Sequence, residues 1–264
     1  MKNILMILIM NIFLISCIDV IKTSDEDYYE SVHVQGSGWI EFYENNENEL
    51  MELNDNFTFQ IWFSGQEETG SDATCIVSFK GSESNISIYR NPNINNIMMI
   101  YNNDELVKEV SFENINFSEK NNFYLLSIVK NQNEISIYIN ENKIMQNDTT
   151  SLVIQNNETT RPIVGAKINN NNPGNLWYGY IDEMRVWDIA LHDTIINFHN
   201  QYPTKVSASY NDNYLESLKG LWTFRINTSE NNISNIFQDI NENFNYAIIY
   251  TLESMSNQLS ELGR

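Results

Sequence analysis

The chain predicts an all-β fold, two antiparallel sheets packed face to face, on three observations. Short alternating apolar runs recur along it, bounded by Asn, Asp, Gly and Ser. Its body contains no long amphipathic helix; only residues 252–262, near the end, have helical spacing. Residues 179–191 read G-Y-I-D-E-M-R-V-W-D-I-A-L, with large side chains at both parities. A strand of that kind is covered on both faces. Regular strand spacing with so little helix favours a two-sheet sandwich over an α/β fold. The 264 residues are enough for one large domain.

The N-terminus reads as a targeting segment. Lys2 supplies a positive charge, and residues 4–15 are apolar apart from Asn11. That run is shorter than the roughly 20 residues a membrane-spanning helix needs. It ends in Leu14-Ile15-Ser16-Cys17, which resembles a bacterial lipobox. Residues 1–16 are then a lipoprotein signal peptide, and Cys17 carries the lipid that anchors the protein to a membrane of the cell envelope, the outer membrane or the cell surface. An ordinary secretory signal is the alternative. Residues 17–30, with the acidic stretch 25–30, form the anchor and tether. The domain proper spans 31–202, a returning segment 203–252 and a polar tail 253–264.

The cysteines and charge add constraints. Cys17 and Cys75 are the only cysteines. With Cys17 acylated, Cys75 is a small buried hydrophobe and a hydrophobic core must hold the fold. Fifteen Lys and Arg against 35 Asp and Glu give a net charge of -20. That argues against nucleic acid and anionic membrane surfaces as partners. It suits solubility and can collect calcium. The sequons at Asn56 and Asn147 follow from the abundance of Asn.

The strands are expected in order. Residues 39–42 open the series. In 57–63, Phe57, Phe59, Ile61 and Phe63 share one face. Residues 74–80, 85–90 and 97–101 follow, then 105–112 with Leu106 and Val110 on one face. Residues 124–130 and 134–140 form the clearest hairpin, around the turn-tolerant Asn131-Gln132-Asn133. Residues 143–145 and 163–166 are further strands, and 169–174 a polar loop. In the strand 179–187, Ile181, Glu183, Arg185 and Trp187 fall on one face, and Tyr180, Asp182, Met184 and Val186 on the other. A short helix is expected next, capped by Asp193 and stopped by Pro203.

These segments resemble, in order, the motifs of laminin-G-like domains of the concanavalin A-like jelly-roll superfamily. F-T-F-Q-I-W-F at 57–63 is similar to their F-T-x-x-x-W strand. Residues 123–144 resemble their W-H-H-V-A-V…Y-V-D-G-K hairpin, with Phe123 and Tyr124 in place of Trp-His and Asn140-Glu141-Asn142 in place of the Asp-Gly turn. I-V-G-A at 163–166 resembles their I-G strand, and 179–191 their G-x-I-D-E-V-R-I-W-x-x-A-L strand. The resemblance covers residues 32–202 and implies a jelly roll with one short helix after its closing strand. Residues 218–224, L-K-G-L-W-T-F, are similar to a strand often found directly after such domains. They are expected to pair back onto the sandwich and protect an edge.

Chemistry is sparse. The superfamily's glucanases carry E-x-D-x-x-E on one strand, and no such array occurs here. Asp182 and Glu183 are adjacent, so a regular strand sends them to opposite faces, and Glu183 is expected to pair with Arg185 or a cross-strand base. Sandwiches of this superfamily often hold a structural calcium through an aspartate, and the resemblance makes Asp182 the candidate ligand. His33, His192 and His199 lack zinc-site spacing. Most tryptophans read as core, but Trp177 and Tyr178 adjoin the polar loop and are expected to be accessible. Together with Asn172 and Asn175 they are the ligand-binding candidates, at the rim where loops vary. The expected function is a non-catalytic binding module for a glycan or a protein ligand at the cell envelope. The alternatives are a glycan-degrading enzyme with dispersed acids, or a structural envelope protein.

Overall fold

The computed structural model describes residues 32–35, 38–44, 49–66, 73–81, 85–91, 93–94, 96–119, 122–132, 134–146, 160–169, 172–207, 213–222, 236–238 and 246–251. Cys17, the tether, Asn147 and the tail 253–264 lie outside them. Along the chain the strands are β1 (Val32–Gln35), β2 (Gly38–Glu44), β3 (Glu49–Leu50), β4 (Asn56–Gly65), β5 (Thr74–Lys80) and β6 (Asn85–Arg90). Then come β7 (Ile97–Asn102), β8 (Glu105–Ser111), β9 (Tyr124–Asn131), β10 (Glu134–Ile139) and β11 (Asn142–Gln146). β12 (Arg161–Val164), β13 (Lys167–Asn169), β14 (Asn172–Gly174) and β15 (Tyr178–Trp187) precede the helix α1 (Asp193–Gln201). β16 (Leu218–Trp222), β17 (Ile236–Gln238) and β18 (Tyr246–Thr251) complete the described chain.

Two antiparallel sheets make the sandwich expected of a jelly roll. The smaller runs β1-β15-β4-β9-β10-β11, with β16 also on β15. The larger runs β17-β18-β2-β12-β5-β6-β7-β8, with β3 also on β2. Phe57, Phe59, Ile61 and Phe63 all point into the core, as their alternation requires. Phe59 meets Phe42 and Phe79 of the opposite sheet edge-on, at 5.9 and 5.5 Å between ring centres. Phe57 stacks on Phe79 at 5.7 Å. Such pairs add about 0.5–1.5 kcal/mol each beyond the area they bury.

β15 departs from simple alternation. Ile181 pairs with Phe63 and Met184 with Ile61, so three steps on β15 match two on β4. This bulge lets Ile181, Met184 and Val186 all enter the core. Asp182 sits within it, half-buried, and not at an inward-facing strand position. A second bulge separates Leu106 from Lys108 opposite Tyr101 and Ile100. Val107 and Val110 consequently pack on the core, while Leu106 turns outward and is 53% exposed. Leu106 and Val110 therefore do not share a face. The segment expected as a polar loop is a small hairpin, β13 paired with β14.

The outer face of the smaller sheet is roofed. Trp187, Val129 and Tyr138 pack against Leu191, Ile196 and Val206. His192, rather than Asp193, caps α1, its ring accepting from the Thr194 N–H at 3.3 Å. Asp193 instead accepts from the Tyr138 hydroxyl at 2.7 Å, which fastens the helix to β10. Beneath the roof lies a buried polar cluster. Arg185 pairs with Glu183, donates to the carbonyls of Pro203 and Lys205, and lies 4.5 Å over the Trp62 ring. His199 stands 2.9 Å from both Gln60 Oε1 and the Val206 carbonyl. The chain then returns to both sheets, β16 pairing with β15 and β18 with β2.

Candidate functional site

The larger sheet keeps Tyr101 half-buried and Leu106 exposed on its outer face. Its outward side chains are set by register. One cross-strand row reads Glu41, Ile163, Ser78, Ser87, Tyr101, Leu106 from β2 to β8. The next reads Cys75, Tyr89, Met99, Glu109 from β5 to β8. The β13–β14 hairpin covers one half of this face, where Ile168 and the following Leu176 pack on Trp39, Ile163 and Ala166. Two bonds hold the hairpin and its exit to β5: Ser78 Oγ donates to the Ala166 carbonyl at 2.9 Å, and Cys75 N donates to the Asn175 carbonyl at 2.6 Å.

On the other half, Tyr101 is half-buried with its ring edge-on to Tyr89, 5.1 Å between centres. Ser87 lies directly across from Tyr101, and its hydroxyl donates to Asn85 Oδ1 at 3.3 Å. Asn85 N in turn donates to Asn103 Oδ1 at 2.9 Å, which holds the β7–β8 turn against β6. Burial pushes the Tyr89 hydroxyl well above the ordinary phenol range. Burial likewise drives the Cys75 thiol far upward, so it stays protonated and is no nucleophile at neutral pH. Tyr89 and Ser87 are themselves buried, so this aromatic shelf can meet a ligand through Tyr101, with the exposed Asn103-Asp104 turn next to it.

The four rim residues singled out from the sequence separate. Asn172 is exposed at the start of β14. Asn175 is exposed too, but its left-handed backbone (φ 51) and its side-chain bond to the Ala73 carbonyl, 3.0 Å, give it a structural task. Tyr178 is half-buried and pairs with Gln35. Trp177 is fully buried, which corrects the expectation that it is accessible. Its backbone N–H donates to the Gly165 carbonyl at 2.8 Å, and its ring meets Phe63 edge-on at 5.8 Å under the Arg90 guanidinium. Gly165 (φ 83) adopts the left-handed turn that directs the chain past it. Among the described residues, no three or more His, Cys, Asp or Glu side chains gather to hold a metal ion. Tyr89 and Ser87 escaped notice in the sequence because only strand register puts them beside Tyr101, and Lys167 and Asp104 because their ion pair joins two hairpins far apart in the chain. The period-two spacing of Ser87 and Tyr89 was the available signal.

Residues 25–197 match the family model of the concanavalin A-like lectin/glucanases superfamily. The chain belongs to that superfamily. Among solved structures it is similar to a proposed carbohydrate binding protein from Bacteroides ovatus ATCC 8483, with 13% identity and a TM-score of 0.53. That match covers 84% of this chain and 60% of the other, so the chain spans less than two thirds of that relative. It is also similar to a heptameric SAP-like pentraxin from Limulus polyphemus, with 13% identity, a TM-score of 0.46, and coverage of 81% and 95%. At these identities the likeness is one of fold. No curated protein matches the chain by sequence.

Proposed function

We propose that the chain is a non-catalytic glycan-binding module, held at the cell envelope by a lipid on Cys17. The observation that carries this reading is the aromatic shelf, where half-buried Tyr101 rests edge-on against buried Tyr89 next to the exposed Asn103-Asp104 turn. A sugar ring presents C–H groups to an aromatic surface, and its hydroxyls pair with small polar side chains. The superfamily and the carbohydrate-binding description of the Bacteroides ovatus relative support the same reading. The buried pairing of Glu183 with Arg185 supports the absence of catalysis, since that carboxylate is committed to a structural cation. The Leu14-Ile15-Ser16-Cys17 sequence supports the anchor.

The test is a glycan-array screen of the full-length protein in detergent micelles, with and without added calcium. Binding to a defined glycan class is expected. Binding to no glycan, together with co-purification of a partner protein, would replace this reading with an envelope protein that has no sugar ligand. Mass spectrometry of the mature protein completes the test. A diacylated or triacylated N-terminal Cys17 is expected, and cleavage elsewhere would remove the anchor.

A further inference from the structure

The β13–β14 hairpin brings an ammonium group onto the same face as the shelf. The Lys167 side chain is only 5% exposed, and it forms an ion pair with the Asp104 carboxylate. Asp104 is held quite differently. It is 71% exposed and occupies the two-residue turn between β7 and β8, where Asn103 and Asp104 both have left-handed backbone (φ 48 and 70). Asp104 follows Tyr101 by three positions, so this carboxylate extends from the end of the strand that carries the shelf.

A buried ammonium requires a counter-charge, because desolvation penalises it when alone. Burial indeed pushes Lys167 below the usual amine range. The nearby Cys75 thiol cannot serve, being protonated. An exposed carboxylate on a surface turn is a partner that is easily exchanged, since leaving the ammonium returns it to water at little cost. A ligand that stacks on Tyr101 and bears its own carboxylate can take the place of Asp104. It satisfies the ammonium equally well and adds the contact with the ring.

We infer that the ligand is a glycan bearing a carboxylate, such as a uronic acid, and that this carboxylate displaces Asp104 from Lys167. The inference rests on the glycan-binding reading above. The net charge of -20 opposes an anion at long range. At physiological salt the screening length is about 8 Å, so the local ammonium governs the docked complex.

The test is titration calorimetry of the full-length protein in detergent micelles at physiological salt. The probes are an oligogalacturonate and its neutral methyl ester. The wild type is expected to bind the acid about tenfold more tightly than the ester, the worth of one charge-assisted hydrogen bond. Lys167→Met is expected to erase that preference. Asp104→Asn is expected to strengthen acid binding about threefold or more, because it removes the internal competitor, a change of roughly 0.7 kcal/mol. In each variant the quantity read is the ratio of acid to ester affinity. Asp104→Asn, on an exposed turn, decides the matter even where Lys167→Met fails to fold. Unchanged or weaker acid binding in Asp104→Asn overturns the inference. So does equal binding of acid and ester by the wild type, which would leave the glycan reading standing. Binding of neither probe overturns it too, and the glycan array then judges the broader reading separately.

Discussion

His199 is the residue on which acid stability turns. It is fully buried, stacked 5.5 Å from Trp187, with Gln60, Arg185 and Tyr214 around it. Burial first, and the Arg185 charge second, push its pKa down to about 3, while its bond to the Val206 carbonyl acts the other way. The fold therefore favours neutral imidazole over the protonated form that an unfolded histidine takes up below about pH 6.5. Its contribution to stability is complete above that pH and is lost progressively as pH falls towards 3. Melting temperatures measured across this window should fall more steeply for the wild type than for His199→Gln. Parallel curves would show that His199 carries no such linkage. Single residues also show the limit of reading one strand at a time. The Phe57, Phe59, Ile61 and Phe63 face was legible, because β4 runs through its inner half without a bulge. Trp177 was misread, because its burial depends on the Gly165 turn and on Phe63, which the polar sequence beside it does not announce.

Elements were legible where period and turn chemistry agreed. The β9–β10 hairpin pairs as its alternating isoleucines require, with Gln132 in a left-handed turn position, and Asn140 takes the same backbone in the turn to β11. The faces of β15 and β8 were not legible, because each bulge is fixed by the partner strand rather than by the strand's own pattern. The returning segment supplies the clearest prediction at this scale. β16 pairs with β15, and its Trp222 packs 4.9 Å from Phe42 in the core, while β18 pairs with β2 from Gly38 to Tyr43. A chain ending at Tyr210 would lose a core tryptophan and leave both edges unpaired. It should melt well below the full-length protein and aggregate. A truncated protein with unchanged solubility and melting temperature would mean that these strands are dispensable.

The molecule as a whole is asymmetric. The smaller sheet's outer face is committed to holding α1 and the segment after it, through apolar contacts around Trp187 and a buried Arg185–Glu183 pair. The larger sheet keeps Tyr101 and Leu106 partly exposed, and Asp104 of the β7–β8 turn pairs with the Lys167 ammonium. That asymmetry between the two outer faces was not legible in the sequence. It depends on which strands neighbour one another, and the rim residues Asn172, Asn175, Trp177 and Tyr178 pointed to a different place. The most direct measurement is a titration of isotope-labelled protein with the bound glycan, followed by amide resonance shifts. The shifts should cluster on β6, β7 and the β7–β8 turn, around Ser87, Tyr101 and Asp104. Shifts confined to β4, β9 and α1, or to the rim around Asn172 with none at Tyr101, would contradict the account.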